Sequence, residues 1–198
     1  ADFGAHEAIR HAHAVTLLEQ ALDEERQAGR AERTTFIDVL NQLARTYYDA
    51  GRYRDAVRTA RAASALTTRF GLERTGHQQT ARTLEAIALR EGGRPLESLA
   101  VLDDGGGRAH VRMSERMQYA HTLLRLQRLD AALSLIEELL PAARAQMHSE
   151  LRALGLARVQ VLTDLGRREQ AQAALVDVET QYAALRKDKR YPARAFAF

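Results

Sequence analysis

Between residues 37 and 50 the apolar side chains Leu40, Leu43, Ala44 and Tyr47 recur at steps of three and four. That period places them on one stripe of an amphipathic α-helix. Gly51 ends the helix, because glycine accepts the left-handed backbone conformation of a tight helix stop. Tyr53 then opens a second helix with Ala56, Ala60, Ala63 and Leu66 at the same period. The two segments predict a helical hairpin. Small residues at Ala44, Ala56, Ala60 and Ala63 let its backbones approach closely, and Tyr47 and Tyr53 fill the wider part of the wedge.

The start of the second helix recurs along the chain. Gly51-Arg52-Tyr53-Arg54-Asp55-Ala56-Val57 returns in degraded form as Gly93-Arg94-Pro95-Leu96-Glu97-Ser98-Leu99, Gln127-Arg128-Leu129-Asp130-Ala131-Ala132-Leu133 and Gly166-Arg167-Arg168-Glu169-Gln170-Ala171-Gln172. The small residues at the sixth place, Ala56, Ser98, Ala132 and Ala171, are spaced by 42, 34 and 39 residues. Self-similarity at this period is the signature of a helical solenoid, in which each unit buries its apolar face against its neighbours. Ala14-Val15-Thr16-Leu17-Leu18-Glu19-Gln20-Ala21-Leu22 reads as the second helix of a further repeat, with Ala14 lying 42 residues before Ala56.

Around residues 77–104, Ala81, Leu84, Ala88 and Leu89 make a helical face, and Gly92-Gly93 and Pro95 leave its register open. The expected organisation is one solenoid over residues 1–198: a helix at 5–28, repeats at 36–70, 77–104, 110–146 and 149–187, and a tail at 188–198. The apolar tail, with Phe196 and Phe198, and the unpaired N-terminal helix predict a segment of a longer protein whose ends self-associate as a homo-oligomer.

The stripe Leu-x-x-Leu-Ala-x-x-Tyr at residues 40–47, followed by Gly-x-Tyr-x-x-Ala and Ala-x-x-Ala, resembles the tetratricopeptide repeat (TPR). In residues 113–146, Tyr119, Ala120, Leu123, Leu129, Ala132, Ile136 and Leu139 stand where that family keeps packing residues, with Gln127 in place of its glycine. Residues 152–186 keep Leu162, Gly166, Ala171, Leu175 and Val178, but carry Arg158 where a large apolar residue is usual. The long spacings are similar to those of kinesin light chains and of many bacterial signalling proteins. The resemblance implies an all-α, right-handed superhelix of about four helix hairpins plus an extra N-terminal helix.

The resemblance also implies where a partner would lie. First helices of successive TPR repeats line a concave face whose non-packing positions meet an extended peptide. Transferred by position, these are Asn41, Arg45 and Tyr48, then Thr83 and Arg90, then Met117, His121 and Arg125; the last repeat offers Gln160 and Asp164. Asn can hold a peptide backbone with both donor and acceptor, Arg can fork onto a carboxylate, and Tyr supplies stacking area. Asn41 with Arg45 resembles half of the carboxylate clamp of chaperone-binding relatives. Asn41 is the only Asn in the chain, so the clamp is incomplete and a chaperone tail is a poor fit. Arg45, Arg90 and Arg125 as a basic stripe favour an acidic or phosphorylated segment.

Composition narrows the remaining chemistry. With 45% hydrophobic and 28% charged residues, the chain has enough apolar surface to fold. No cysteine is present, which removes disulfides, thiolate metal sites and a cysteine nucleophile, and the expected location is cytoplasmic. No apolar run approaches the roughly 18 residues of a membrane span. Net charge is +3, and 27 of the 29 basic residues are arginine, dispersed among 26 acidic ones. Such dispersion reads as solvated helix faces, and nucleic-acid binding through arginine-rich faces is the weaker alternative.

Asp2-Phe3-Gly4 matches a kinase signature without its companion motifs. Asp103-Asp104-Gly105-Gly106-Gly107 lacks the alternating ligands of a calcium loop. His6, His11, His13 and His77 contain no pair at zinc-binding helical spacing, and Ser114, Ser134 and Ser149 lack the context of a nucleophile. The sequence therefore predicts no catalytic residues, no metal and no cofactor. It predicts a protein or peptide interaction scaffold, set in a bacterial regulatory protein such as a serine/threonine kinase or a transcriptional regulator, with a sensor of small signalling peptides as the alternative.

Overall fold

A computed structural model describes residues 3–30, 34–73, 75–103, 113–146 and 148–187. The tail with Phe196 and Phe198, the start of Asp2-Phe3-Gly4 and most of the Asp103–Gly107 run lie outside them. The described residues form nine helices, with no strand among them: α1 (Phe3–Gln27), α2 (Thr34–Asp49), α3 (Tyr53–Arg69), α4 (Gly76–Glu91), α5 (Pro95–Asp103), α6 (Met113–Arg125), α7 (Leu129–Gln146), α8 (His148–Asp164) and α9 (Arg168–Lys187). They group into two compact units that divide between Gln118 and Tyr119.

The recurring block builds the hairpin turn. Its first residue has positive φ in every copy, 71° at Gly51, 81° at Gly93, 57° at Gln127 and 72° at Gly166. The next residue is always arginine, and its main-chain N–H donates to the carbonyl five residues back: Arg52 to Tyr47 at 2.8 Å, Arg94 to Leu89 at 2.8 Å, Arg128 to Leu123 at 2.9 Å and Arg167 to Leu162 at 2.9 Å. This is the six-to-one closure of a helix whose terminal residue is left-handed. The arginine carbonyl then accepts from the sixth residue of the block, Ala56, Ser98, Ala132 or Ala171, which starts the next helix. All four of these small residues are buried.

In the first unit α3 packs against both α2 and α4, and α1 packs against α2. The stripe Leu40, Leu43, Ala44 and Tyr47 is buried, as are Ala56, Ala60 and Ala63 opposite it; Tyr53 and Leu66 are half-buried. Val15 and Leu22 bring α1 onto the same core. Tyr47 joins α1 to α2 by a second route. Its hydroxyl donates to Glu19, and the Arg52 guanidinium lies 4.4 Å from its ring centroid.

The register left open near residue 92 resolves as a short stop. Gly92 caps α4 with its N–H on the Ala88 carbonyl, the Gly93 N–H follows on the Arg90 carbonyl, and Pro95 is the first residue of α5, a position where its missing N–H is not needed. Arg82 of α4 donates to the carbonyls of Val101 and Leu102 at the end of α5.

In the second unit α8 packs against α7 and α9. A methyl group on Gly155 of α8 would come within 2.5 Å of Val178 Cγ2 on α9, so this crossing requires glycine. Arg158, which departs from the usual apolar residue, donates from Nε to Glu137 Oε1 of α7 at 2.7 Å. The substitution exchanges packing for an ion pair with the neighbouring helix.

Three outcomes are expected. Gln127→Gly relieves a non-glycine residue of its left-handed backbone, and urea unfolding will show a gain of about 0.5–1 kcal/mol. In Gly155→Ala the clash with a stiff β-branched neighbour, about 1–3 kcal/mol, exceeds the helix-propensity gain of about 1 kcal/mol. Stability falls, whereas in a Val178→Ala background the same change raises it. The third concerns alkaline pH. Burial, then the Glu19 hydrogen bond and charge, push the Tyr47 phenol up to about 12. Unfolded Tyr47 ionises near pH 10 and the folded one resists, so stability present below about pH 10 is lost as pH rises through about 12. Tyr47→Phe removes that part of the fall in paired denaturation series between pH 9 and 12.

Candidate functional site

Asp38, Asn41, Gln42 and Arg45 lie at i, i+3, i+4 and i+7 of α2, which aligns them along two turns of one face. They look across a groove of about 460 Å³ at Thr75, Gly76, His77 and Thr80 of the α4 N-terminus. Thr75 is extended (φ −93°, ψ 167°) and its hydroxyl donates back to the Leu72 carbonyl at 2.6 Å. One residue beyond His77, Gln78 is anchored on α3: the buried Thr67 hydroxyl donates to Gln78 Oε1 at 2.6 Å, and Gln78 Nε2 donates to Ser64 Oγ at 2.9 Å. The first turn of α4 is thereby held opposite α2.

Two contacts bridge the groove at its floor and edge. Asn41 Nδ2 donates to the His77 carbonyl at 3.3 Å, and His77 Nδ1 lies 2.8 Å from Asp38 Oδ1. Asn41 is only 7% exposed, and its Oδ1 is buried with no hydrogen-bond partner among the described residues. Its amide is thus a latch between two helices. Of the two groups by which Asn41 was expected to hold a peptide backbone, Nδ2 is bonded to the His77 carbonyl and Oδ1 is covered. Exposed Gln42, whose side-chain amide makes no hydrogen bond among the described residues, offers that pair of groups instead. Arg45 is also exposed and has no ion-pair partner among the described residues.

Of the other residues expected to meet a partner, Tyr48 is half-buried and packs on the core with its ring centroid 5.9 Å from that of Tyr53. Thr83 is half-buried, and its hydroxyl has no hydrogen-bond partner among the described residues. The Arg90 side chain is 12% exposed and is used within the first unit, donating to Glu91 Oε1 at 2.9 Å and Gln118 Oε1 at 2.8 Å. Met117 is half-buried in the first unit; His121, half-buried, and Arg125, exposed, belong to the second, as do exposed Gln160 and Asp164. The expected arginine stripe is therefore not a row of equivalent groups, since Arg90 satisfies a glutamate and a glutamine.

Asp38, Gln42, His77 and Thr80 were not singled out as groove residues in the sequence. The helical spacing from Asn41 would have found Asp38 and Gln42. His77 lies 36 residues after Asn41, close to one repeat, and stands in the first turn of α4. Among the described residues no group of three or more His, Cys, Asp or Glu is placed to hold a metal ion. No described helix is long and apolar enough to cross a membrane.

No protein-family model and no curated protein matches the chain. Solved structures do. The nearly identical TPR-like repeats described as those of a kinesin light chain from Podosopora anserina match at a TM-score of 0.70 and 20% identity, over 90% of this chain and 90% of that one. A single-substitution form of the same protein matches at 0.72 and 20% identity, over 90% and 89% of the two chains. BtubC (BKLC) from P. vanneervenii matches at 0.62 and 18% identity, over 95% and 87%. Left-handed turns at the recurring block, helix hairpins around small buried residues and these likenesses agree: the chain has the fold of TPR-like repeat arrays.

Proposed function

We propose that this chain is a protein-interaction scaffold whose first unit holds an extended peptide in the groove between α2 and α4. The observation that carries the reading is a polar groove in which the latch is internal while the strongest recognition groups remain open. Asn41 is committed to the His77 carbonyl, whereas Gln42 and Arg45 are exposed and without partners among the described residues. Gln42 hydrogen-bonds the peptide main chain, and Arg45 forks onto an acidic or phosphorylated side chain. The face of α4 toward α6 is a poor competitor. Gln79 Nε2 donates to Ser114 Oγ at 2.7 Å, Arg82 lies 3.6 Å from Glu115, and Arg90 holds Gln118, so its long polar side chains are already engaged. The TPR-like fold supports the same reading, and the length of the repeats supports a regulatory setting of the kind found in bacterial signalling proteins.

Selection from a random-peptide display library, followed by fluorescence anisotropy on the enriched sequences, tests the proposal. Enriched peptides will carry Asp, Glu or a phosphorylated residue, and Arg45→Ala will weaken them about tenfold, the loss of one charge-assisted hydrogen bond. Gln42→Ala will weaken binding less and without regard to peptide sequence. Peptides that bind equally well to wild type and to Arg45→Ala would place the site elsewhere.

A further inference from the structure

The groove is charged oppositely at its two ends. Asp38 and Arg45 stand seven residues apart on the same face of α2, both line the groove, and Gln42 lies between them. Seven helical residues rise about 10.5 Å, and an extended peptide covers that distance in about three residues at about 3.3 Å each. Resting on the reading of this groove as a peptide site, we propose that it selects an extended segment carrying a basic and an acidic side chain three residues apart, the base on Asp38 and the acid on Arg45.

Asp38 is able to take the base although His77 already touches it. An ionised carboxylate has about four acceptor positions, His77 Nδ1 occupies one of them, and the side chain is 62% exposed. The remaining positions face solvent. Arg45 has none of its donors engaged by an ion pair among the described residues. A uniformly acidic segment would satisfy Arg45 and place a like charge beside Asp38, which costs affinity in the same measure as the opposite charge gains it. The groove therefore discriminates by charge order and spacing, a stronger filter than attraction to a single cation. Because α2 holds both Asp38 and Arg45 on one helix face, the spacing in the peptide is read against a fixed ruler.

The test uses nine-residue Ala/Ser peptides containing one Lys and one Glu at separations of one to five residues in both orders, with Glu-only and Glu/Glu peptides as controls. Binding to the full chain is followed by NMR shifts of the Gln42 and Arg45 amides. Affinity is expected to peak at a separation of three in one of the two orders, about three- to fivefold above the Glu-only peptide, as for an exposed ion pair, and to lose that margin in 1 M salt. Asp38→Asn keeps an acceptor for His77 and removes the charge. In that variant, replacing the peptide Lys by Ala should have no effect. In the doubly exchanged Asp38→Arg, Arg45→Asp protein the preferred order should reverse. Equal affinity of the Lys/Glu and Glu-only peptides for wild type, with Asp38→Asn silent, overturns the dipolar selection while leaving Arg45-dependent peptide binding intact. Loss of Arg45 dependence for every peptide overturns both.

Discussion

One main-chain hydrogen bond shapes each hairpin: the N–H of an arginine reaching the carbonyl five residues earlier, across a residue in the left-handed conformation. It closes one helix, and the same arginine's carbonyl opens the next. The sixth residue of each block, Ala or Ser, is then buried directly after the turn. The side chains of these arginines are free to vary in their use. Arg52 pairs with Asp55, Arg94 with Glu97, and Arg167 with Asp130. Exposed pairs of this kind contribute little stability, so the recurrence of the block is explained by the main chain and by the small residue it delivers, with charge a secondary matter.

From this constraint the groove follows. Turns of the same geometry at Gly51 and Gly71 carry the chain from α2 through α3 to α4, and α3 is long enough to return α4 to the side of α2. The two helices then meet through a carbonyl and an imidazole on one residue, His77. The contrast with the opposite face of α4 is one of burial. A guanidinium that is nearly covered, such as that of Arg90, requires partners to offset its desolvation and finds them in Glu91 and Gln118. An exposed guanidinium such as that of Arg45 stays hydrated at little cost, and this is what leaves it available to a ligand.

Legibility in the sequence tracked the range of the interaction. Helical periodicity exposed the buried stripe of α2 and the small residues of α3, because both are local properties of a 3.6-residue repeat. The departure at Arg158 was visible as an anomaly, but its compensation by Glu137 was not, because that pair closes over 21 residues between α7 and α8. Asn41 shows the limit most plainly. Expected at a non-packing position, it is buried, and its amide is bonded to a carbonyl 36 residues away. Gln42, its immediate neighbour, is exposed instead.

By itself, then, the sequence determined that the fold is all-α, where the hairpin turns fall and which small residues let the hairpins close. Each of those rests on contacts within about one repeat, where spacing along the chain is nearly equivalent to position in space. Only the tertiary structure decided which polar groups are consumed inside the fold and which remain open. Hydrogen bonding and desolvation depend on neighbours from other helices, and no periodicity along one helix reveals whether a given arginine or amide meets them.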